Sequence, residues 1–262
     1  PAARFCHTAV QMRTLYGLCL LAACCGSPVI VPAQEGGFQP CRVILVRHAE
    51  TMGNVTKVYT DENQRRFSPL GLEQVETLTR VLGGLDFDVI LCSPAYRCRQ
   101  TIQPFLANTG RTAELWPEVE ECCWQRNRDK PVPEEDAAGE PVRLEPAEQA
   151  FFTAPKTGEP RHLPQRTYTE GVQHLEAGYR QFLARFSGSG LHVLVVSHQH
   201  SGGRIAELLL GEPPEGLRPL ENAVLTVLEE KSPGHFEMLT FNTLPDPAAA
   251  GAGKNVLEPA GT

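Results

Sequence analysis

Three short apolar runs punctuate the chain: Val43-Ile44-Leu45-Val46, Val89-Ile90-Leu91-Cys92 and Val193-Leu194-Val195-Val196. Runs of apolar, largely β-branched residues without polar alternation mark strands covered on both faces, as in a parallel sheet. Between them the pattern turns helical. Ser68-Pro69 supplies an N-cap and a first-turn proline, Leu72, Val75, Leu78 and Leu82 recur along one face, and Gly83-Gly84 closes the segment. Ser93-Pro94 leads into a second helix carrying Tyr96 to Thr101. Val172, Leu175, Tyr179, Phe182, Leu183 and Phe186 trace a third, ended by Gly188, whose aromatic stripe reads as core packing. A fourth helix is expected from about Arg204 to Leu210. Thr112 to Leu115 suggests a short strand, and Ala223–Leu228 and Phe236–Phe241 two more, antiparallel about the Pro233-Gly234 turn. Strands alternating with helices predict an α/β fold on a mostly parallel sheet.

The pattern lapses in three places. From about 125 to 166 the chain is rich in Pro, Glu and Arg, and Pro131, Pro133, Pro141, Pro146, Pro155, Pro160 and Pro164 interrupt any long element. A stretch of that length reads as a functional insertion, anchored to the body by Phe151-Phe152. Residues 245–262 are rich in Ala, Gly and Pro and read as a disordered tail. Residues 1–33 read as a targeting segment. Met12-Arg13 precedes an uncharged apolar run from Leu15 to Cys25, too short to span a bilayer as a helix. Leu21-Ala22-Ala23-Cys24 has the form of a lipoprotein processing site that would leave Cys24 lipidated; Val31-Pro32-Ala33 before Gln34 fits an ordinary cleavage site. Either outcome predicts export to a periplasmic or extracellular location, with the membrane touched only through a lipid anchor. One domain, 34–244, remains.

A net charge of −7 argues against a nucleic-acid partner, which would show a basic stripe, so any anion site has to be local. Cys41, Cys92, Cys98, Cys122 and Cys123 show no CxxC spacing and no zinc pattern, and adjacent Cys122 and Cys123 are not expected to bridge. Oligomeric state is not legible.

Each buried run is followed by a polar group suited to phosphate. Arg47-His48 follows the first run, Arg97 lies in the first helical turn after the second, and His198 follows the third. Arginine offers a planar fork of donors to phosphate oxygens, and histidine offers a nitrogen able to attack phosphorus. Arg97 and Arg99 point in different directions on their helix, and Arg97 is the nearer to the strand ends, the edge where open α/β sheets bind ligands. His198-x-His200 is a weak metal candidate, because Ser201-Gly202-Gly203 ends the strand and no third ligand is evident; His200 is read as structural.

Together these segments resemble the histidine phosphatase superfamily, also called phosphoglycerate mutase-like. Its Arg-His-Gly signature is matched by Arg47-His48-Ala49-Glu50-Thr51 with Asn54, and its first-helix start by Ser68-Pro69-Leu70-Gly71-Leu72-Glu73-Gln74. Ser93-Pro94-Ala95-Tyr96-Arg97 through Gln100-Thr101 matches its second phosphate segment, and Val195-Val196-Ser197-His198 its late histidine. Ala49 replaces the usual glycine, and Cys122-Cys123-Trp124 replaces a glycine-containing stretch of many small members.

The resemblance implies a three-layer α/β/α sandwich with the insertion over the active site. It implies a phosphomonoesterase of an exported bacterial type that needs no metal or other cofactor and cleaves a small phosphate ester. His48 would be the nucleophile forming a phosphohistidine. Arg47, Arg97 and His198 would hold the phosphate oxygens, with Asn54 as a further donor. The leaving oxygen needs a proton, and alignment to the family's Leu-x-Glu pattern nominates Glu121, with Glu118 second; crowding among Glu118, Glu120 and Glu121 is expected to raise one pKa. Two rivals share these residues: a mutase, for which Arg65-Arg66 would grip a substrate carboxylate, and a catalytically inactive phosphate-binding scaffold.

Overall fold

The computed structural model describes residues 37–123, 139–155, 158–163 and 167–244. The targeting segment with Cys24, the tail and parts of the 125–166 insertion lie outside the described residues. The elements run β1 (Arg42–Arg47), α1 (Met52–Thr56), α2 (Asp61–Arg65), α3 (Pro69–Gly83), β2 (Val89–Cys92), α4 (Tyr96–Thr109), β3 (Ala113–Leu115), β4 (Phe152–Thr153), α5 (Tyr168–Phe186), β5 (His192–Ser197), α6 (Gln199–Leu209), β6 (Leu225–Ser232) and β7 (His235–Thr243). They form one seven-stranded sheet in the order β4-β3-β2-β5-β1-β6-β7. The five strands from β4 to β1 are parallel, and β6 and β7 add an antiparallel edge.

The apolar runs are unbroken because both faces of the sheet are covered. Ile44, Val46, Leu194 and Val196 pack with Val75, Leu78, Leu82, Ile102 and Phe105 of α3 and α4. The intervening Val43, Leu45, Val193 and Val195 pack with Leu175, Phe182 and Phe186 of α5 and Ile205 and Leu209 of α6. Period-two alternation thus sends successive side chains into two separate cores, making the three-layer sandwich. The α5 stripe belongs to this second core, as its periodicity predicts.

One feature of the topology makes the site. β5, late in sequence, lies between β1 and β2, and its register pairs Arg47 with Ser197 and Cys92 with Val196. The carboxyl ends of all three strands therefore finish abreast, and whatever follows each is delivered to one edge.

Several local expectations are corrected. Leu72 is exposed; the buried face of α3 is formed by Gly71, Val75, Leu78, Val81 and Leu82. The short helices α1 and α2 and the two-residue β4 were not anticipated. β4 nonetheless rests on Phe152, buried and paired in parallel with Ala113, which fastens the insertion to the sheet. α6 begins at Gln199, not Arg204, directly after the strand. Gly202 and Gly203 are helical there and serve close packing. A Cβ on Gly203 would lie 2.2 Å from the carbonyl oxygen of Arg218, and one on Gly202 2.4 Å from Ser197 Oγ.

Candidate active site

Arg47 ends β1, and His48 follows with its backbone N–H bonded to Ser197 O of β5 at 3.1 Å. The imidazole is buried, 3 % exposed. Its Nδ1 lies 2.8 Å from Ala49 O, and because a carbonyl only accepts, Nδ1 carries the proton and Nε2 the lone pair. Arg97 Nε donates to that lone pair at 3.2 Å. Burial, then the charges of Arg97 and Arg47, push the His48 pKa well below its ordinary 6.5. The ring is therefore neutral, as a nucleophile requires. Ala49, where the family has glycine, takes no positive φ, is fully buried, and donates its N–H to Thr101 Oγ1 at 2.9 Å, so a methyl group is accommodated.

Arg47 is 8 % exposed. Its Nη1 donates to Leu220 O at 3.0 Å, while its Nε is buried with no hydrogen-bond partner. An orphaned buried guanidinium N–H is costly unless an acceptor completes it. His198 is fully buried, its ring centroid 5.3 Å from that of His48 in an edge-on contact. Its Nε2 shares a 2.8 Å hydrogen bond with Ser93 Oγ, and Cys98 Sγ lies 3.4 Å from the same nitrogen. Burial, then Arg97, His48 and Arg47, lower its pKa well below 6.5 as well. Arg47, His48, Arg97 and His198 thus converge. Asn54 is drawn in less directly. Its Oδ1 accepts from Thr51 N at 3.0 Å in a capping box at the start of α1, and Asn222 Nδ2 lies 3.5 Å from it. The amide nitrogen of Asn54 is the end left to donate.

Each of the three clustered glutamates has its own partners. Glu118 Oε1 accepts from Gln181 Nε2 at 3.0 Å, against α5. Glu120 accepts from His162 and Leu163 of the insertion. Glu121 Oε1 accepts from the backbone N–H groups of Cys122, His200 and Ser201 at 3.2, 3.1 and 3.1 Å. The last two belong to the first turn of α6, so Glu121 caps that helix from a distant segment. It also explains the early start of α6: the capping carboxylate comes from 78 positions before Gln199 in sequence, Glu121 against Gln199. His200 sits on a helix, not on a continued strand beside His198, and among the described residues no cluster of three His, Cys, Asp or Glu is placed to hold a metal ion.

A cavity of about 280 Å³ opens beside this cluster. Arg97 and Glu121 face it from the site, Arg65 and Tyr96 from α2 and α4, and Arg143 and His162 from the insertion. Arg47, His48 and His198 are not in its lining, and His48 is joined to it through Arg97. Arg65 lies 4.0 Å over the Tyr96 ring and 3.4 Å from Glu145. Arg99 also lines the cavity, but its guanidinium is committed to a buried pair with Glu148.

Two contributors escaped sequence reasoning. Ser93, partner of His198, had the same signal as the others, a polar residue directly after a buried run. Asn222 had none: it donates to His48 O at 2.7 Å from a loop far along the chain.

The family profile described as histidine phosphatase superfamily (branch 1) matches residues 43–243. The chain is 27% identical over 181 residues to adenosylcobalamin/alpha-ribazole phosphatase of Escherichia coli strain K12, covering 67% of this chain and 82% of that protein. The alpha-ribazole phosphatase structure from Shigella flexneri superposes with a TM-score of 0.55 at 18% identity, over 77% of this chain and 96% of that one. Mycobacterial glucosyl-3-phosphoglycerate phosphatase, in a complex with VO3, gives 0.53 at 18% identity, over 77% and 99%; both likenesses show a shared fold. With the profile spanning most of the sequence, the chain belongs to the histidine phosphatase superfamily, branch 1, and as an enzyme it is a phosphatase.

Proposed function

We propose that the protein hydrolyses a small phosphate monoester, without a metal, through a phosphohistidine at His48. The observation that carries this reading is the buried, unpartnered Nε of Arg47, set among a second arginine and two neutral histidines. A phosphate oxygen completes that donor. A second oxygen takes the N–H that Arg97 now gives to His48 Nε2, and so frees the lone pair that must attack.

The steps balance as follows. His48 Nε2 forms a bond to phosphorus while the ester P–O bond breaks, and the Glu121 carboxyl gives its proton to the departing oxygen. Water then attacks phosphorus, Glu121 takes a proton from it, and the P–N bond breaks, returning neutral His48 and inorganic phosphate. Asn54 supplies an additional donor, and His198, braced by Ser93, backs the ring of His48. The relatives carry different substrates in their names, so the leaving group is read from the cavity, whose polar lining suits a hydroxylated one. Export through residues 1–33, ending either in lipid attachment at Cys24 or in cleavage before Gln34, belongs to the same proposal and rests on the sequence pattern.

The test is turnover of p-nitrophenyl phosphate and an alkyl phosphate in EDTA, beside His48→Ala and Glu121→Ala. Turnover should survive EDTA and vanish in His48→Ala. Glu121→Ala should lose about a hundredfold or more on the alkyl ester and less on the aryl ester, whose leaving group needs no proton. Activity abolished by EDTA, or retained in His48→Ala, would overturn the mechanism.

A further inference from the structure

Glu120 stands one residue before the proposed acid and lines the same cavity, yet takes different partners. Its Oε1 lies 2.6 Å from His162 Nδ1 and its Oε2 accepts from Leu163 N at 3.0 Å. Both carboxylate oxygens are thus given to the returning limb of the insertion. That limb is not irregular at this point. Gly139 N donates to His162 O at 2.7 Å, His162 N to Glu140 O at 2.9 Å and Val142 N to Pro160 O at 2.8 Å, a short antiparallel ladder around the Pro141–Arg161 bridge. Glu140, Pro141 and His162 of this ladder, with Arg143 beside it, line the same cavity as Arg97 and Glu121.

A second fastening lies further along. Glu148, 1 % exposed, accepts from Arg99 Nε and Nη2 at 2.9 Å each and from Gln100 Nε2 at 2.9 Å, and it also caps Glu145 N. Besides the β4 pairing, two of the insertion's fastenings among the described residues lie a step from a proposed catalytic group: Arg99 two residues after Arg97, and Glu120 next to Glu121. Both fastenings reach the cavity lining, Arg99 from one and Glu120 with His162 from the other, and in the second both partners line it.

We infer that Glu120 is a positioning residue for leaving-group selection: through His162 and Leu163 it fixes the insertion wall against the acid, and so sets how a bulky polar leaving group is received. This rests on the phosphatase reading above. The phosphate-holding groups take no bond from Glu120, so its loss separates two quantities that a general structural defect would move together. A small aryl ester reaches only His48 and the arginines. A hexose phosphate has to lie against the ladder.

The experiment compares the full-length protein with Glu120→Ala, Glu120→Gln and His162→Ala, using p-nitrophenyl phosphate, glucose 6-phosphate and inorganic phosphate as a competitive inhibitor. Glu120→Ala should raise KM for the sugar ester about tenfold while KM for the aryl ester and the inhibition constant of phosphate stay within about twofold. Glu120→Gln, which keeps an acceptor for Leu163 N and a polar group for His162, should recover most of the loss, and His162→Ala should fall between. Hydrogen exchange gives a reading without turnover: the amides of Gly139, Val142 and Leu163 should exchange faster in Glu120→Ala than in Glu120→Gln. Equal losses on both esters, or unchanged exchange at those amides, would overturn the inference. Failure of the parent to bind phosphate or turn over either ester would instead remove the phosphatase reading and this one with it, leaving faster exchange as a purely structural fastening.

Discussion

Acidification tests the site at its most unusual feature, two histidines kept neutral in a buried cluster with two arginines. His48 and His198 have folded pKa values well below 6.5, from burial first and then from neighbouring charge. The unfolded chain takes up a proton at each as pH falls through about 6.5; the folded chain does not. The unfolded state then binds more protons, so stability is full above that pH and is lost as pH drops below it. Holding one histidine neutral while its unfolded counterpart protonates costs RT ln(1 + 10^(6.5 − pH)), on the order of 1 kcal/mol at pH 5.5 and almost nothing at pH 7.5. The pair together removes on the order of 2 to 3 kcal/mol over that interval, a large part of an ordinary domain's stability. Urea unfolding at several pH values measures it. The variants His48→Gln and His198→Gln serve as controls, since each should shed about half of the pH dependence whatever its absolute stability. Saturating inorganic phosphate should flatten the slope too, because a bound dianion favours the charged rings. A wild-type slope no steeper than that of either variant would show that these rings titrate freely in the folded protein. The argument for a desolvated nucleophile would then fall.

Other outcomes follow from particular contacts. Arg99→Ala leaves Glu148 buried without its partner and should cost about 3–5 kcal/mol in urea unfolding, whereas the double change Arg99→Met with Glu148→Met should lose much less. Gly203→Ala drives a Cβ into the backbone at Arg218; it should cost about 1–3 kcal/mol and lower kcat by shifting the loop that carries Leu220 O and Asn222. Gly83→Ala, at the end of α3 with open space around it, is the matched control and should raise stability by about 0.5 kcal/mol. Cys41, Cys92, Cys98, Cys122 and Cys123 are all buried, and burial raises the Cys41 and Cys98 thiols to about 12. Peptide mapping after iodoacetamide should find these five unmodified in native protein and modified after denaturation, with rapid native labelling of Cys98 counting against its place beneath His198.

The comparison of expectation with structure separates two kinds of information. The buried strands announced themselves because a strand covered on both faces has no polar alternation, and the helices on α3 and α5 because one-sided burial leaves a 3.6-residue trace. Arg47, His48, Arg97 and His198 were legible for the same reason: each ends or directly follows a strand or lies in the first turn of the next helix, so its place on the sheet edge comes with the element. Boundaries set by remote groups were not legible. α6 was expected to begin after Gly202-Gly203, since glycine weakens a helix locally; in the fold those glycines admit Ser197 and Arg218, and the helix start is satisfied by Glu121.

Sequence alone therefore determined the layers, the parallel sheet and the identity of the groups at its edge, because burial pattern and chain adjacency are local properties. Tertiary structure alone decided which glutamate meets the site. Glu118, Glu120 and Glu121 are chemically alike and adjacent, and only the packing of α5, the insertion and α6 around them gives each a different partner. It likewise decided that Arg47 keeps one buried donor unpaired and that Asn222 closes on His48. Such facts depend on chain segments far apart in sequence, whose meeting leaves no periodicity to read.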